Sequence, residues 1–370
     1  MMVDLRAAYR VQADEIDAAV RRVLDSGWYI LGKEMVTFEQ DFARWCDAPH
    51  AIGVGNGTDA IVVALRGLGV GEKDTVFTVS HTAVATVAAV ELAGAVPVLV
   101  DIDPDTYTID PAKLEEAVKA CKLSGGRPKA VIAVHLYGHP CDVAAIADIC
   151  RRHDLFFIED CAQAHGATVD GRPVSSFGDI ATFSFYPTKN LGAFGDGGAV
   201  VTRDKALAER CAAIRQYGWR ERYLSDMTGM NSRLDELQAA MLGVRLKRLD
   251  VEIAARRAAA ARYDAELEGV IATPAVRSGA GHAYHLYVVR SPRRDALASA
   301  LKARGVGTGI HYPLPVHLQK AYVGRVQLAP SGMSQTERAA LEVLSLPMHA
   351  FLNQEDVAHV IASVTEAADR

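Results

Sequence analysis

Lys189 stands where a surface lysine ordinarily does not. The stretch Gly178-Asp-Ile-Ala-Thr-Phe-Ser-Phe-Tyr-Pro-Thr-Lys-Asn-Leu-Gly-Ala-Phe-Gly-Asp-Gly-Gly198 puts it just past an apolar run, in a loop opened by Pro187 and followed by a glycine cluster. Its nearest charged neighbours in the sequence are Asp179 and Asp196; the others are aromatic, hydroxylic or glycine. Burial among such residues lowers a lysine pKa and frees the neutral amine that condenses with a carbonyl to an imine. A lysine that merely tethers a strand-to-strand loop would look the same taken alone.

Two further groups give it company. Gly53-Val-Gly-Asn-Gly-Thr-Asp59 lies between an apolar run and a helical pattern. Glycines there let main-chain amides face outward, and a helix start presents unbonded N–H groups with partial positive charge. The segment reads as an anion site, most simply for a phosphate. The spacing is Gly-x-Gly-x-Gly, and Asp74 precedes the next strand instead of ending it, so a dinucleotide fingerprint fits poorly. A purely structural glycine turn stays open.

Ile158-Glu-Asp-Cys-Ala-Gln163 puts Asp160 at the carboxyl end of an apolar run, where open α/β sheets build their sites. Such a carboxylate is either a helix cap or the partner of a protonated heterocyclic nitrogen. An ion pair at about 4 Å contributes roughly 4 kcal/mol at an effective dielectric of 20, enough to keep a pyridine nitrogen protonated at neutral pH. An anion cradle, an acid for a ring nitrogen and an activated lysine together describe the needs of pyridoxal 5′-phosphate.

The elements that must position these residues alternate regularly. Apolar runs at His50–Val54, Thr75–Val79, Val96–Val100, Lys129–Val134 and Leu155–Ile158 are separated by helical patterns at about 59–68, 84–93 and 143–153. Two more strands, Ala181–Tyr186 and Gly198–Thr202, flank the Lys189 loop. This order predicts an α/β fold whose mostly parallel sheet carries helices on both faces. A long helix is expected from Leu234 to about Leu267, and strands and helices of a different rhythm follow it. The division expected is 1–245 for a large domain with an N-terminal helix and 246–370 for a smaller α+β domain.

Length and composition agree with this. A chain of 370 residues exceeds one ordinary core, and 50% hydrophobic against 23% charged residues is a normal globular balance. The net charge of -5 and the lack of a basic run argue against nucleic-acid or membrane-surface partners. Six cysteines, scattered without a paired framework, point to reduced thiols and the cytoplasm. The N-terminal segment has no signal-peptide core, and no apolar run reaches membrane-spanning length. His135, His139 and Cys141, and Cys161 with His165, make neither of the paired zinc spacings, so no metal is expected.

The motifs Gly-Asn-Gly-Thr-Asp, Val-Asp-Ile-Asp, His-Leu-Tyr-Gly-His, Glu-Asp-Cys-Ala-Gln-Ala-His-Gly and Ser-Phe-Tyr-Pro-Thr-Lys-Asn together resemble the sugar aminotransferases of the DegT/DnrJ/EryC1/StrS family. The likeness runs from Gly27-Trp-Tyr-Ile-Leu-Gly32 to Leu346-Pro-Met-His349. It implies the fold type I architecture of aspartate aminotransferase. It also implies that Lys189 is the imine lysine and acid–base group and that Asp160 meets the pyridine nitrogen. Gln163 would approach the ring hydroxyl, and Gly57, Thr58 and Ser184 would hold the phosphate. Asn231 resembles the family asparagine that crosses to the partner subunit's phosphate, which implies a homodimer with shared sites. Members usually cover the ring with an aromatic where this chain has Ala83, so either His81 takes that place or the ring is less covered.

Related sugar 3-dehydratases carry histidine where this chain has Lys189, so transamination is expected rather than water loss. The segments Gln216–Arg222, Asn231–Gln238 and His311–Gln319 look most like members that aminate C3 of a nucleotide-linked, dTDP-type 3-keto-6-deoxyhexose, with L-glutamate as donor. Tyr217, Arg233, His311, Tyr312, His317 and Gln319 are then candidates for the substrate pocket, since hydroxyls, imidazoles and a guanidinium suit sugar hydroxyls and a diphosphate. Amination at C4 of a 4-ketosugar and a non-catalytic regulator on the same fold are the alternatives.

Overall fold

The computed structural model describes residues 2–368. Seven strands form its main sheet: β1 (His50–Val54), β2 (Asp74–Val79), β3 (Val96–Val100), β4 (Arg127–Val134), β5 (Phe156–Asp160), β6 (Ile180–Ser184) and β7 (Gly198–Thr202). Their order is β1-β7-β6-β5-β4-β2-β3, with the short strand Gln327–Leu328 added beyond β3. β7 runs antiparallel to both of its neighbours, while β2 to β6 pair in parallel. The strands read as apolar runs because both sheet faces are covered; β2 is buried at every position.

Parallel pairing needs crossovers, and the helices that make them are locally well marked. Val143–His153 starts at Asp142, whose carboxylate accepts from the Ala145 N–H. It ends with Arg151, Arg152 and His153 in the last turn, and Asp154 follows in the left-handed region. Acid cap at the start and cations at the end both complement the helix dipole. The parallel arrangement then brings the carboxyl ends of β2, β4, β5 and β6 to one edge of the sheet, where their loops meet.

The three largest apolar clusters among the described residues hold most of the fold. One joins Val76, Val131, Ile132 and Ile158 to the crossover helices. A second is rich in phenylalanine, with Phe38, Phe42, Phe183 and Phe185. A third gathers Tyr263, Tyr287, Leu301, Leu344 and Val364 from the C-terminal part of the chain.

The long helix expected from Leu234 to Leu267 is two helices, Glu236–Leu246 and Leu249–Leu267. The first packs on helices Ala13–Ser26 and Lys33–Trp45. The second places Leu249 and Ile253 in the phenylalanine-rich cluster and Ala259, Tyr263 and Leu267 in the third. The chain turns at Lys247-Arg248 so that both surfaces are buried, and no glycine or proline marks the turn. No helix among the described residues is long and apolar enough to cross a membrane.

Candidate active site

The start of helix Gly57–Gly67 and the loops after β2, β5 and β6 enclose a cavity of about 520 Å³. Gly57, Thr58, Asp160, Gln163, Ser184 and Lys189 all line it, so six expected residues from three separate segments converge. Thr82, Ala83, Ala85 and Thr86 form part of the remaining wall.

At one end lies the helix start. Asn56 caps it by accepting from the Asp59 N–H at 2.8 Å. The amides of Gly57 and Thr58 belong to the first turn, which has no intrahelical acceptors. A Cβ on Gly57 would lie 2.6 Å from the Ser184 Cβ, so only glycine lets the helix start approach β6 this closely. Behind it Ser232, which the sequence reading missed, donates to Asp59 at 2.6 Å and accepts from the Gly55 N–H at 2.9 Å. Gly57→Ala is expected to cost about 1–3 kcal/mol by overpacking. It should also weaken cofactor binding at least tenfold, read from thermal denaturation and fluorescence titration with pyridoxal 5′-phosphate. Binding as tight as the parent's would contradict the cradle.

Asp160 closes the bottom of the cavity. Its carboxylate accepts from the Thr86 hydroxyl at 3.0 Å and the Ala162 N–H at 3.1 Å, and it is 4% exposed. Burial raises its pKa above the ordinary carboxylate value, against the Ala162 N–H, Thr86 and Lys189, which lower it. Thr86 was missed in the sequence, although Thr82 and Thr86 are four residues apart and share a hydrogen bond of 3.1 Å.

Lys189 is partly exposed through the cavity. Burial of its ammonium lowers the pKa to about 8, with Asp160 opposing. Both groups are thus displaced toward their neutral forms, because each is short of counter-charge. The loop that carries Lys189 is fixed by its N–H to the Tyr186 carbonyl, 2.8 Å, and by Asn190, which donates to the Ala283 carbonyl at 3.1 Å. The His165 ring lies tilted, 5.2 Å from that of Phe183, and burial first, then Lys189 and Arg256, hold it at about 3, so it adds no charge beside the amine.

Gln163 accepts from the Tyr137 N–H at 2.7 Å and donates to the Tyr312 hydroxyl at 3.0 Å. Tyr312 therefore reaches the site across the chain's two parts. His311 lies beside it; its Nδ1 bonds the Ser345 hydroxyl at 2.8 Å, and burial, then Lys189, lowers its pKa.

The other expected residues are placed elsewhere. His81 does not line the cavity: it is wholly buried behind the wall, its Nε2 on the Tyr137 hydroxyl at 2.7 Å and its ring 6.1 Å from that of Tyr107. His81 stands two residues past the end of β2 and packs inward, away from the place where it was expected to cover a ring; Ala83 lines the cavity instead. His317 is buried between the Ser80 hydroxyl, 2.7 Å, and Glu337, 3.1 Å, and ties the returning segment to the end of β2. Gln319 donates to the Leu314 carbonyl at 3.3 Å, within its own loop. Tyr217 and Asn231 are exposed, and the Arg233 guanidinium lies 6.0 Å from the Tyr217 ring. These three form a separate outer cluster, not part of the cavity wall.

Among the described residues His135, Glu159 and Cys161 are the one group with ligand-type atoms close enough to share a metal. Their capacity is already committed. Cys141 N–H donates to His135 Nδ1 at 3.0 Å, and His135 Nε2 meets Glu159 at 3.2 Å. Glu159 also accepts from the amides of Ser175, Phe177 and Gly178 at 2.8–3.0 Å. The group is a structural anchor beneath Asp160.

The cavity fits pyridoxal 5′-phosphate on its own geometry. A cradle that a Cβ would fill suits a phosphate, an under-compensated buried carboxylate suits a protonated ring nitrogen, and a lysine of lowered pKa suits an aldehyde. The comparisons agree. The DegT/DnrJ/EryC1/StrS aminotransferase family matches residues 11–365. The chain is 47% identical over 371 residues to the dTDP-3-amino-3,4,6-trideoxy-alpha-D-glucose transaminase of Streptomyces venezuelae, covering 100% of this chain and 96% of that one. It is 47% identical over 368 residues to the erythromycin biosynthesis sensory transduction protein EryC1 of Saccharopolyspora erythraea, covering 99% of each. A crystal structure of S. venezuelae DesV, in complex with a ketimine intermediate, superposes with a TM-score of 0.96 at 46% identity over 100% of this chain and 98% of that one. The chain belongs to the DegT/DnrJ/EryC1/StrS family of pyridoxal-phosphate-dependent aminotransferases.

Proposed function

We propose that the protein aminates C3 of a dTDP-linked 3-keto-6-deoxyhexose, taking the amino group from L-glutamate. The observation that carries this reading is Lys189, with its lowered pKa, set across the cavity from Asp160 and beside the Gly57–Ser184 cradle. The likeness to a transaminase named for a dTDP-3-aminosugar supports the substrate class. The cofactor, when bound, supplies a carbonyl for amines and a ring that accepts electrons. With it bound, Asp160 would hold the ring nitrogen protonated, the Gly57 and Thr58 amides and Ser184 would hold the phosphate, and Gln163 would offer an N–H donor on the hydroxyl side. Lys189 Nζ takes the proton from the donor's α carbon in the first half-reaction and returns one to the sugar carbon in the second.

The same reading extends to the assembly. Asn231, Tyr217 and Arg233 lie together on the exterior, which suits a homodimer in which they reach the partner's site. Six unpaired cysteines suit a reducing cytoplasm. Names such as sensory transduction protein keep a regulatory reading in view, but a regulator has no need of a lysine tuned to about 8.

A panel of dTDP-, GDP- and UDP-linked 3-keto and 4-keto sugars with glutamate tests the proposal, with the aminosugar and 2-oxoglutarate read by mass spectrometry. The dTDP 3-ketosugar is expected to turn over at least tenfold faster than the others. Preference for a 4-ketosugar would replace the C3 assignment. No loss of visible absorbance on adding glutamate would favour the regulator.

A further inference from the structure

Tyr312 meets the cavity through Gln163, and the segment it shares with His311 is also held from the far part of the chain by Tyr137. Its hydroxyl donates to the His311 carbonyl, so it must accept from the His81 Nε2–H at 2.7 Å. That makes His81 the neutral Nε2–H tautomer, with Nδ1 buried and unpartnered. Burial, and then Arg290, keeps its pKa at about 4, so the pair does not change over the working pH range. The main-chain N–H of the same Tyr137 donates to Gln163 Oε1 at 2.7 Å. With its oxygen so committed, the Gln163 amide turns its nitrogen toward Tyr312 and the cavity.

The backbone is bent to allow this. Tyr137 has φ +61° and Gly138 φ +97°, two consecutive left-handed residues at the end of β4. A Cβ at position 138 would meet the Gln163 carbonyl at 3.0 Å and the Tyr284 and His285 nitrogens at 3.1 Å, so the turn is wedged between the two parts of the chain. Left-handed tyrosine persists only where its surroundings over-determine it, and such sites cluster where position matters.

We infer that Tyr137, backed by His81, is a positioning residue: a latch that seats the His311–Tyr312 segment against Gln163 and thereby shapes the sugar side of the cavity. The inference rests on reading His311 and Tyr312 as facing the sugar. Neither Tyr137 nor His81 touches the reacting atoms; both act through Gln163, His311 and Tyr312.

The test uses the holoenzyme and three variants, Tyr137→Phe, His81→Phe and His81→Gln. Tyr137→Phe is expected to raise KM for the ketosugar about tenfold more than it changes the constants of the glutamate half-reaction, the size of one lost buried hydrogen bond. Hydrogen–deuterium exchange should quicken over 309–314 ahead of β5 and β6. His81→Phe should behave alike, whereas His81→Gln, which keeps an N–H donor, should restore both readouts. Equal losses in both half-reactions, or failure of His81→Gln to restore them, would mean a merely structural pair. Unchanged exchange over 309–314 in Tyr137→Phe would overturn the latch outright. If the parent enzyme aminates no ketosugar, the substrate reading fails instead, and the exchange measurement still decides the latch.

Discussion

Lys189→Ala is expected to abolish both half-reactions, lowering turnover by at least about 10⁴-fold, while the protein still folds and takes up the cofactor without a covalent bond. General acid–base transfer by one positioned group accounts for about 10²–10⁴-fold, and covalent holding of the cofactor adds to it. Absorbance of the purified variant and single-turnover kinetics with glutamate give the answer. Normal turnover in this variant would sink the assignment. The charge argument makes a second, independent test in the cofactor-free protein. The Lys189 pKa of about 8 in the fold, against an ordinary 10.5, means the unfolded chain binds its proton more tightly between those values. Stability therefore rises with pH through that window relative to Lys189→Met, by on the order of 2–3 kcal/mol, and below pH 8 the full cost of burying the ammonium is present. Urea denaturation of both proteins at pH 7.5 and 10.5 reads the difference. A pH-independent gap between them would mean that Lys189 titrates normally.

Asp160→Asn should be nearly as damaging by a different route. The carboxylate is buried, bonded to only Thr86 and Ala162, and raised in pKa by that burial, so it lacks a cation of its own apart from Lys189. A ring nitrogen at about 4 Å would gain roughly 4 kcal/mol from it at an effective dielectric of 20, about three pKa units. Asparagine keeps the shape and both local hydrogen-bond partners but loses that field. We expect kcat/KM to fall by about 10³-fold, with Asp160→Glu recovering part of it and thermal stability of the cofactor-free protein unchanged or improved. The last point separates electrostatics from packing, since removing a buried carboxylate that is short of counter-charge relieves a desolvation cost. A fall of less than tenfold would show that Asp160 serves mainly as a local cap.

Much of this site could be read before the fold was seen. A helix start after β1, an acid at the end of β5 and a lysine between β6 and β7 are local patterns, each defined by a few adjacent residues. Parallel strands place all such ends on one edge, so local patterns in the right order already imply a common site. The break at Lys247-Arg248 was hidden for the opposite reason. Helical propensity continues through it, and only the need to bury two different surfaces turns the chain.

The candidate substrate residues divide along the same line. Tyr312 reaches Gln163 at the cavity, His311 bonds Ser345, His317 serves Ser80 and Glu337, and Gln319 stays within its loop, although all four sit within nine positions. A stretch of polar residues carries no mark of which side chain turns inward. His81 shows the same limit. Its type suited a ring-covering role, but packing directs it to Tyr137, fifty-six positions away.

Residue types and their order along the chain were therefore enough to point to the cofactor and to nominate an acid and a lysine for it, because each requirement is met within one short segment; the reaction class came with the family resemblance. Which side chains pack around Gln163 and Tyr312 was decided only by tertiary structure. Those contacts join residues from 26 to 174 positions apart, and their geometry depends on strand register and burial that no local pattern encodes.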